Sequence, residues 1–182
     1  TLARQLGDRR REMQALLPVA TARLYLNDPG WQETAERALE LARQLGDLKT
    51  AVNLLVGMGD AYGPEDLPRS QEYLQAALSR SEKLNDKATE IGLLGALSPQ
   101  FERRGDYYRQ LTEYEQKRLR ISREIGHRAV EGHALMFCGQ IQGLYLGDYE
   151  AGLAREQEAL RVMESGPTRM FPLLRIVQIK SA

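Results

Sequence analysis

Apolar residues recur three and four positions apart along most of the chain, as they do on one face of an α-helix. One such run consists of Ile91, Leu94, Leu97 and Phe101. This spacing differs from the strict alternation of a half-buried strand, so it predicts an all-α protein. The predicted helix pairs cover about 9–26 with 31–45, 48–62 with 68–84, 87–104 with 107–125, and 128–146 with 149–165. A last helix is predicted to start near Thr168.

The chain also contains an internal repeat. The heptapeptide LARQLGD occurs at 2–8 and again 39 residues later, at 41–47. Related phrases continue at similar steps and give a period of about 40, which is typical of a solenoid whose units bury their apolar faces against one another. The predicted repeats cover about 9–46, 47–85, 86–126 and 127–166, with a partial helix at 167–182, all within a single repeat domain. Because the chain opens on this phrase, with Thr as residue 1, we expect it to be a fragment of a longer protein.

The boundaries between predicted helices carry a short motif. Gly-Asp stands at 7–8, 46–47, 105–106 and 147–148. Glycine tolerates the left-handed conformation that ends one helix, and aspartate accepts hydrogen bonds from the free amides that start the next. Of the eight Asp residues only Asp60 lies away from a predicted junction, and His127 stands where other units have Asp. We therefore expect these residues to cap helices rather than to act in catalysis.

The third unit resembles the tetratricopeptide repeat, whose first helix has a Leu-Gly core and ends in a Gly-Asp-Tyr turn. The matching residues are Leu94, Leu97, Ser98, Phe101, Gly105, Asp106, Tyr107, Leu111 and Tyr114. The fourth unit keeps Gly147, Asp148 and Tyr149, and the resemblance extends over essentially the whole chain. It is closest to the bacterial type with a long period of about 40 residues. The resemblance implies an all-α, right-handed superhelix of about four helix pairs, with a partial helix at each end.

Two residues of the third unit depart from the family pattern. Gln110 and Lys117 stand where the repeat has alanines on its second helix. The resemblance therefore implies that this helix lies further from its neighbours, or that it turns these two side chains outward.

In the tetratricopeptide family the first helices line a concave groove, and the resemblance assigns a set of residues to it. They are Gln14, Leu17, Thr21, Asn53, Val56, Asp60, Gly92, Gly95, Glu102, His133, Met136 and Gln140. This set mixes small, amide and apolar groups and has no cluster of Lys and Arg, so a groove that clamps a terminal carboxylate is not expected. An extended or helical segment with apolar anchors suits it better.

Two functions follow from the resemblance. The first is a protein–protein interaction scaffold that binds a peptide or protein segment in the groove. The alternative is a regulatory or sensor segment of a larger bacterial signalling or transcription-regulator protein, which receives a small-molecule or protein signal. A scaffold binds an extended peptide, whereas a sensor holds a compact ligand near polar groups such as Asn53, His133 and Gln140.

Composition and charge argue against several classes of partner, cofactor and activity. Twenty-five basic residues balance 25 acidic ones, so net charge gives no case for a nucleic-acid or membrane partner. One Cys and two His are too few for a structural zinc site, and no cofactor is expected. His133 and Cys138 do not share a helix face, which argues against a nucleophile–base pair and against an enzyme. With no secretory signal and no long apolar run, we expect a cytoplasmic protein.

The C-terminal stretch is the most apolar part of the chain. Met170, Phe171, Leu174 and Val177 form a candidate association surface on its predicted helix. Such a surface favours burial because apolar area removed from water is stabilising. We expect the helix to pack on the second helix of the fourth unit, or against a second copy of the chain as a homodimer.

Overall fold

The structure is a computed structural model that describes residues 8–63, 66–163 and 170–181. Within these ranges the chain forms nine helices and no strand, which confirms the all-α prediction. The helices are α1 (Arg9–Tyr25), α2 (Trp31–Gln44), α3 (Leu48–Tyr62), α4 (Leu67–Leu84), α5 (Lys87–Glu102), α6 (107–124), α7 (128–145), α8 (Tyr149–Val162) and α9 (Met170–Ser181). Two of them contain π-helical segments, Gln110–Glu115 in α6 and Ile141–Tyr145 in α7.

The helix ends lie at most three residues from their predicted positions. The largest difference is at the end of α8, which stops at Val162 rather than 165. Pro18 and Pro99 lie inside α1 and α5, and both helices continue past them. The predicted start of the last helix, near Thr168, lies outside the described residues.

The helix junctions form as the motif predicts. Each of six residues before a helix accepts a hydrogen bond through its side chain from the backbone amide three positions later: Asp8, Asp47, Asp66, Asp106, His127 and Asp148. Just before Asp47, Gly46 has a φ of 66°, the left-handed conformation that favours glycine. The capping role expected of the junction aspartates and of His127 is therefore confirmed at these positions.

Contacts between helices divide the chain into two compact units, of which unit 1 covers Thr1–Asp86. In unit 1, α1 packs with α2, α2 with α3, and α3 with α4. The core includes Met13, Leu41, Leu55 and Met58, all of them almost fully buried. These side chains fix the positions of α1 and α3, the first helices of the two pairs.

Unit 2 covers Lys87–Ala182. Here α6 packs against α5 and α7, while α8 packs against α7 and α9. The core includes Leu111, Leu119, Leu135 and Ile141. Since α9 lies on α8, the C-terminal helix adopts the first of its two predicted arrangements, packing on the second helix of the fourth pair.

Gln110 departs from the expectation that its side chain turns outward. Its side chain turns inward, is 1% exposed, and donates a hydrogen bond from Nε2 to Oγ of Ser98 at 3.1 Å. Gln110 is the first residue of the π-helical segment of α6. Lys117 extends to Glu90, with 3.1 Å between its Nζ and the carboxylate. Of the two positions where the family pattern has alanine, unit 2 therefore buries Gln110 and leaves Lys117 half-buried in an ion pair.

Helices α7 and α8 approach each other closely at glycines. A Cβ placed on Gly152 would lie 2.6 Å from the Cα of Gly143. A side chain at this position would force the helices apart, because carbon atoms pack at about 3.5–4.0 Å. On the other side of Gly143, Ile179 of α9 occupies the space that a Cβ would need.

Candidate functional site

Unit 1 contains a cavity of about 220 Å³ between α1 and α3, partly open to solvent and mainly apolar. Its lining consists of Leu17, Ala20, Thr21 and Leu24 from α1, Trp31 and Ala35 from α2, and Asn53, Leu54, Gly57 and Met58 from α3. A Cβ placed on Gly57 would meet no atom within 4 Å. The cavity is therefore open at the point where α3 carries no side chain.

Three residues that the sequence assigns to a groove line this cavity. They are Leu17, Thr21 and Asn53. The Thr21 hydroxyl donates a hydrogen bond to the backbone oxygen of Leu17 at 3.1 Å, so its own oxygen can still accept one. Asn53 is exposed, and its amide can both donate and accept. The cavity thus combines an apolar interior with two polar groups.

The other predicted groove residues of unit 1 lie outside the cavity lining. Gln14 and Asp60 are exposed and Val56 is half-buried. Partial burial raises the pKa of the Asp60 carboxyl. Val56 and Asp60 extend the α3 surface on either side of Gly57.

An aromatic cluster surrounds one wall of the cavity. The ring of Trp31 lies 5.4 Å from that of Tyr62, which stacks on Tyr73 at 5.5 Å. The Arg69 guanidinium lies over Tyr62, 5.5 Å from the ring centre. Such contacts restrict Trp31, so the wall that it forms is held in place.

In unit 2 the structure connects two predicted groove residues through a third. Gln140 donates a hydrogen bond to the Tyr145 hydroxyl at 3.0 Å, and that hydroxyl donates to Glu102 at 3.4 Å. The Tyr145 ring stacks on Tyr107 at 4.1 Å. Gln140 and Glu102 are thus brought together by Tyr145, a residue that no sequence motif had singled out.

The remaining predicted residues of unit 2 differ in exposure. Gly92 is open to solvent, and Gly95 and His133 are half-buried. Met136 is 8% exposed and packs in the core with Leu135 and Ile141, so its side chain belongs to the interior rather than to a binding surface. The sequence spacing of His133 and Met136 along α7 could not show that one is half-buried and the other lies in the core, because a core residue and a surface residue can lie one turn apart.

The sequence pattern did not identify Arg118 as a neighbour of the predicted groove residues Gly95 and His133. Arg118 comes from α6, yet its guanidinium extends over Gly95 of α5, where a Cβ would lie 2.9 Å from Cζ. Its charge also lowers the pKa of His133, after the larger effect of burial. Arg118 alternates with glutamates in the sequence, which is typical of a solvated helix face, but its side chain is only 13% exposed.

The predicted association surface is exposed on α9. Met170, Phe171, Leu174 and Val177 each expose more than half of their area. The opposite side of α9 faces the rest of unit 2 through Arg175, whose Nη1 donates to the backbone oxygen of Met136 at 3.1 Å. The helix is therefore attached on one side and presents apolar side chains on the other.

A buried carboxyl lies beneath this attachment. Glu156 of α8 is fully buried, and neither of its carboxyl oxygens has a hydrogen-bond partner among the residues that the structure describes. The nearest charge is Arg175, with 3.8 Å between its Nη1 and Oε1 of Glu156. Burial raises the pKa of Glu156 to about 8, although Arg175 opposes this.

The groups relevant to catalysis are placed as follows. Cys138 is buried in the core, and burial followed by the charge of Glu115 raises the pKa of its thiol to about 12. In the described ranges, no three His, Cys, Asp or Glu side chains come together as metal ligands do.

Among the same residues, no helix combines the length and the apolar character that a bilayer span requires.

The sequence matches no protein-family model and no curated protein. Any function assigned to the chain must therefore come from its sequence pattern and from the geometry described above.

Proposed function

We propose that this chain is a tetratricopeptide-type interaction scaffold that captures a segment of another protein on the face formed by its first helices. In this proposal the helix pairs build the right-handed superhelix of that family. The observation that carries the proposal is the cavity of unit 1. It lies between two first helices, α1 and α3, and three of the predicted groove residues line it: Leu17, Thr21 and Asn53.

The size and lining of the cavity favour a peptide side chain as its occupant. Pockets for small molecules usually measure about 300–1,000 Å³, and this one measures about 220 Å³. That volume suits one large apolar side chain, whose burial contributes about 1.5–3 kcal/mol. At the same time Asn53 and Thr21 offer hydrogen bonds to the peptide backbone on either side of the anchor. The alternative, a sensor segment for a compact small molecule, has less support from this cavity.

The test uses Trp31, the single tryptophan of the chain, which lines the cavity. Peptides that bind the immobilised chain are selected from a random displayed library and then titrated against Trp31 fluorescence. We expect the selected peptides to share one large apolar residue and to change the Trp31 emission on binding.

A cavity-filling variant makes the test specific. In Gly57→Met the new side chain enters open space, and replacing a helical glycine favours the helix by up to about 1 kcal/mol. We expect this variant to fold and to lose peptide binding. Gln75→Met is the control, because it places methionine at an exposed position of α4, a second helix of the same unit that contributes no residue to the cavity. Peptide binding that survives Gly57→Met at full affinity would contradict the proposal, as would selected peptides without a common apolar residue.

A further inference from the structure

We propose that α9 is a dimer interface, on which two copies of this chain pack through antiparallel α9 helices. The interface consists of the apolar side chains that α9 exposes: Met170, Phe171, Leu173, Leu174 and Val177. In this proposal the occupant of the face is the same helix of a second copy. The dimer uses residues of unit 2 alone, so it is separate from the peptide site proposed in unit 1.

The two sides of α9 differ in character. With about 3.6 residues per turn, Met170, Leu174 and Val177 lie within about 60° of one another around the helix axis. Arg175 and Ile179 lie on the opposite side, where they contact α7. Together with its two flanking residues, the exposed apolar stripe is about 160° wide, whereas about 100° is already typical of a helix that faces a core. The width of the stripe indicates that a second apolar surface covers it.

The exposed area is sufficient for a weak dimer. Each of the five side chains exposes between 52% and 65% of its area, which is about 100 Å² for side chains of this size. Two copies would together bury about 1,000 Å². Stable dimers bury about 1,200–2,000 Å² or more, and transient complexes bury less. We therefore expect a reversible dimer with a dissociation constant in the micromolar range rather than a permanent one.

The order of apolar positions along α9 is the same in both directions. Met170, Leu173, Leu174 and Val177 follow one another at steps of three, one and three residues. A twofold axis through the middle of this run brings Met170 opposite Val177 of the second copy. The same axis brings Leu173 opposite Leu174 of the second copy. A twofold interface requires such a self-complementary patch, so the pattern favours a second copy as the occupant.

The charged residues of α9 fit the antiparallel arrangement. Between Met170 and Ser181 the sequence has two basic residues, Arg175 and Lys180, and no acidic one. Arg175 lies on the attached side, so only Lys180 is near the interface. In the antiparallel pair the two copies of Lys180 lie about 20 Å apart along the axis, which exceeds the screening length of about 8 Å. A face with one peripheral charge also offers little to recognise a foreign partner electrostatically.

The experiment is disulfide cross-linking of single cysteine variants under mild oxidation. The native Cys138 is buried and does not interfere. A disulfide needs Cα atoms within about 7 Å of each other. We expect Leu174→Cys to cross-link with itself, because its two copies lie beside the twofold axis. Met170→Cys and Val177→Cys should cross-link when mixed but not alone, since each lies about 10 Å along the axis from its own copy.

A control and two outcomes make the test decisive. Lys180→Cys adds a thiol at an exposed position of the same helix and should stay monomeric under oxidation. All these sites are exposed, so circular dichroism should show the native helix content in each variant. Cross-linking of Met170→Cys with itself would indicate parallel helices and overturn the proposal. Equal cross-linking of Leu174→Cys and Lys180→Cys would refute it as well, because the contact would then be non-specific.

The dimer and the cavity of unit 1 can fail separately. Gly57→Met should dimerise like the native chain, because α9 belongs to unit 2. If the cross-links form but the selected peptides ignore Gly57→Met, the dimer stands and the proposed scaffold function fails. If the peptides need the cavity but Leu174→Cys does not cross-link, the scaffold function stands and the dimer is refuted.

Discussion

The buried carboxyl of Glu156 gives the sharpest prediction about stability. Replacing it by glutamine keeps the size of the side chain but removes its charge at every pH. We expect Glu156→Gln to stabilise unit 2 at neutral pH, because the native carboxyl has no hydrogen-bond partner within the described ranges and Arg175 lies 3.8 Å away. A variant that removes a buried ionisable group would then be more stable than the native chain.

The magnitude follows from the two pKa values. An ordinary Glu carboxyl has a pKa of 4.5, and that of Glu156 in the folded protein is about 8. Below the lower value the carboxyl is neutral in both states and costs nothing. As pH rises from 4.5 to 8 the unfolded chain ionises first, so stability is lost over this range, and about 3 kcal/mol is lost by pH 7.

The assay is urea unfolding followed by far-ultraviolet circular dichroism, for the native chain and for Glu156→Gln, at several pH values. We expect the free energy of unfolding of the variant, relative to that of the native chain, to increase by about 3 kcal/mol as the pH rises from about 4 to about 7. Glu158→Gln is the control, since it makes the same change two residues away on a half-buried side chain.

Two results would refute this reasoning. The first is the same pH dependence for the native chain and for Glu156→Gln. The second is an equal gain in Glu158→Gln, which would show that the effect belongs to the general charge of α8 rather than to the buried carboxyl.

Two further predictions concern association and capping. Sedimentation across concentrations should show that the native chain self-associates and that the double variant Phe171→Glu, Leu174→Glu is a folded monomer. The reason is that both native side chains are 56% exposed on α9. A monomeric native chain would contradict a homodimer through this helix. Asp47→Ala should lower the stability of unit 1 by about 1 kcal/mol, because the Asp47 carboxyl accepts the amide of Thr50 at 3.1 Å. Unfolding followed by Trp31 fluorescence checks this, and an equal loss in Asp60→Ala would show that the cap is not its cause.

The helix ends were predictable because their signals are local. A Gly-Asp pair ends one helix and starts the next through hydrogen bonds within a few residues, and the repeat shows the same signal several times. Thus Asp106 and Asp148 could be recognised as caps without any knowledge of the fold. Leu17, Thr21 and Asn53, which the sequence assigned to a groove, line one cavity in the structure, while its walls from Trp31 and Met58 were not anticipated.

Two residues were misplaced, and for Arg118 the reason is a change in the helical period. The π segment Gln110–Glu115 adds a residue to one turn of α6, so side chains after it are rotated by about 100° relative to a regular helix. Counting from the start of α6 therefore places Arg118 on a solvated face. Met136 was misplaced for another reason, because its burial depends on contacts with Ile141 and other core residues that no local pattern encodes.

The π segments also bear on how such a surface can change during evolution. A substitution alters one side chain, whereas deleting a single residue from Gln110–Glu115 would restore a regular helix and turn the remainder of α6 as a block. Arg118 would then leave Gly95, and other side chains would take its place. The change would stop at the next junction, because Gly126 and His127 end α6 and start α7 through their own backbone geometry. An insertion or deletion within one helix can thus exchange a whole set of surface side chains while the next helix keeps its own start.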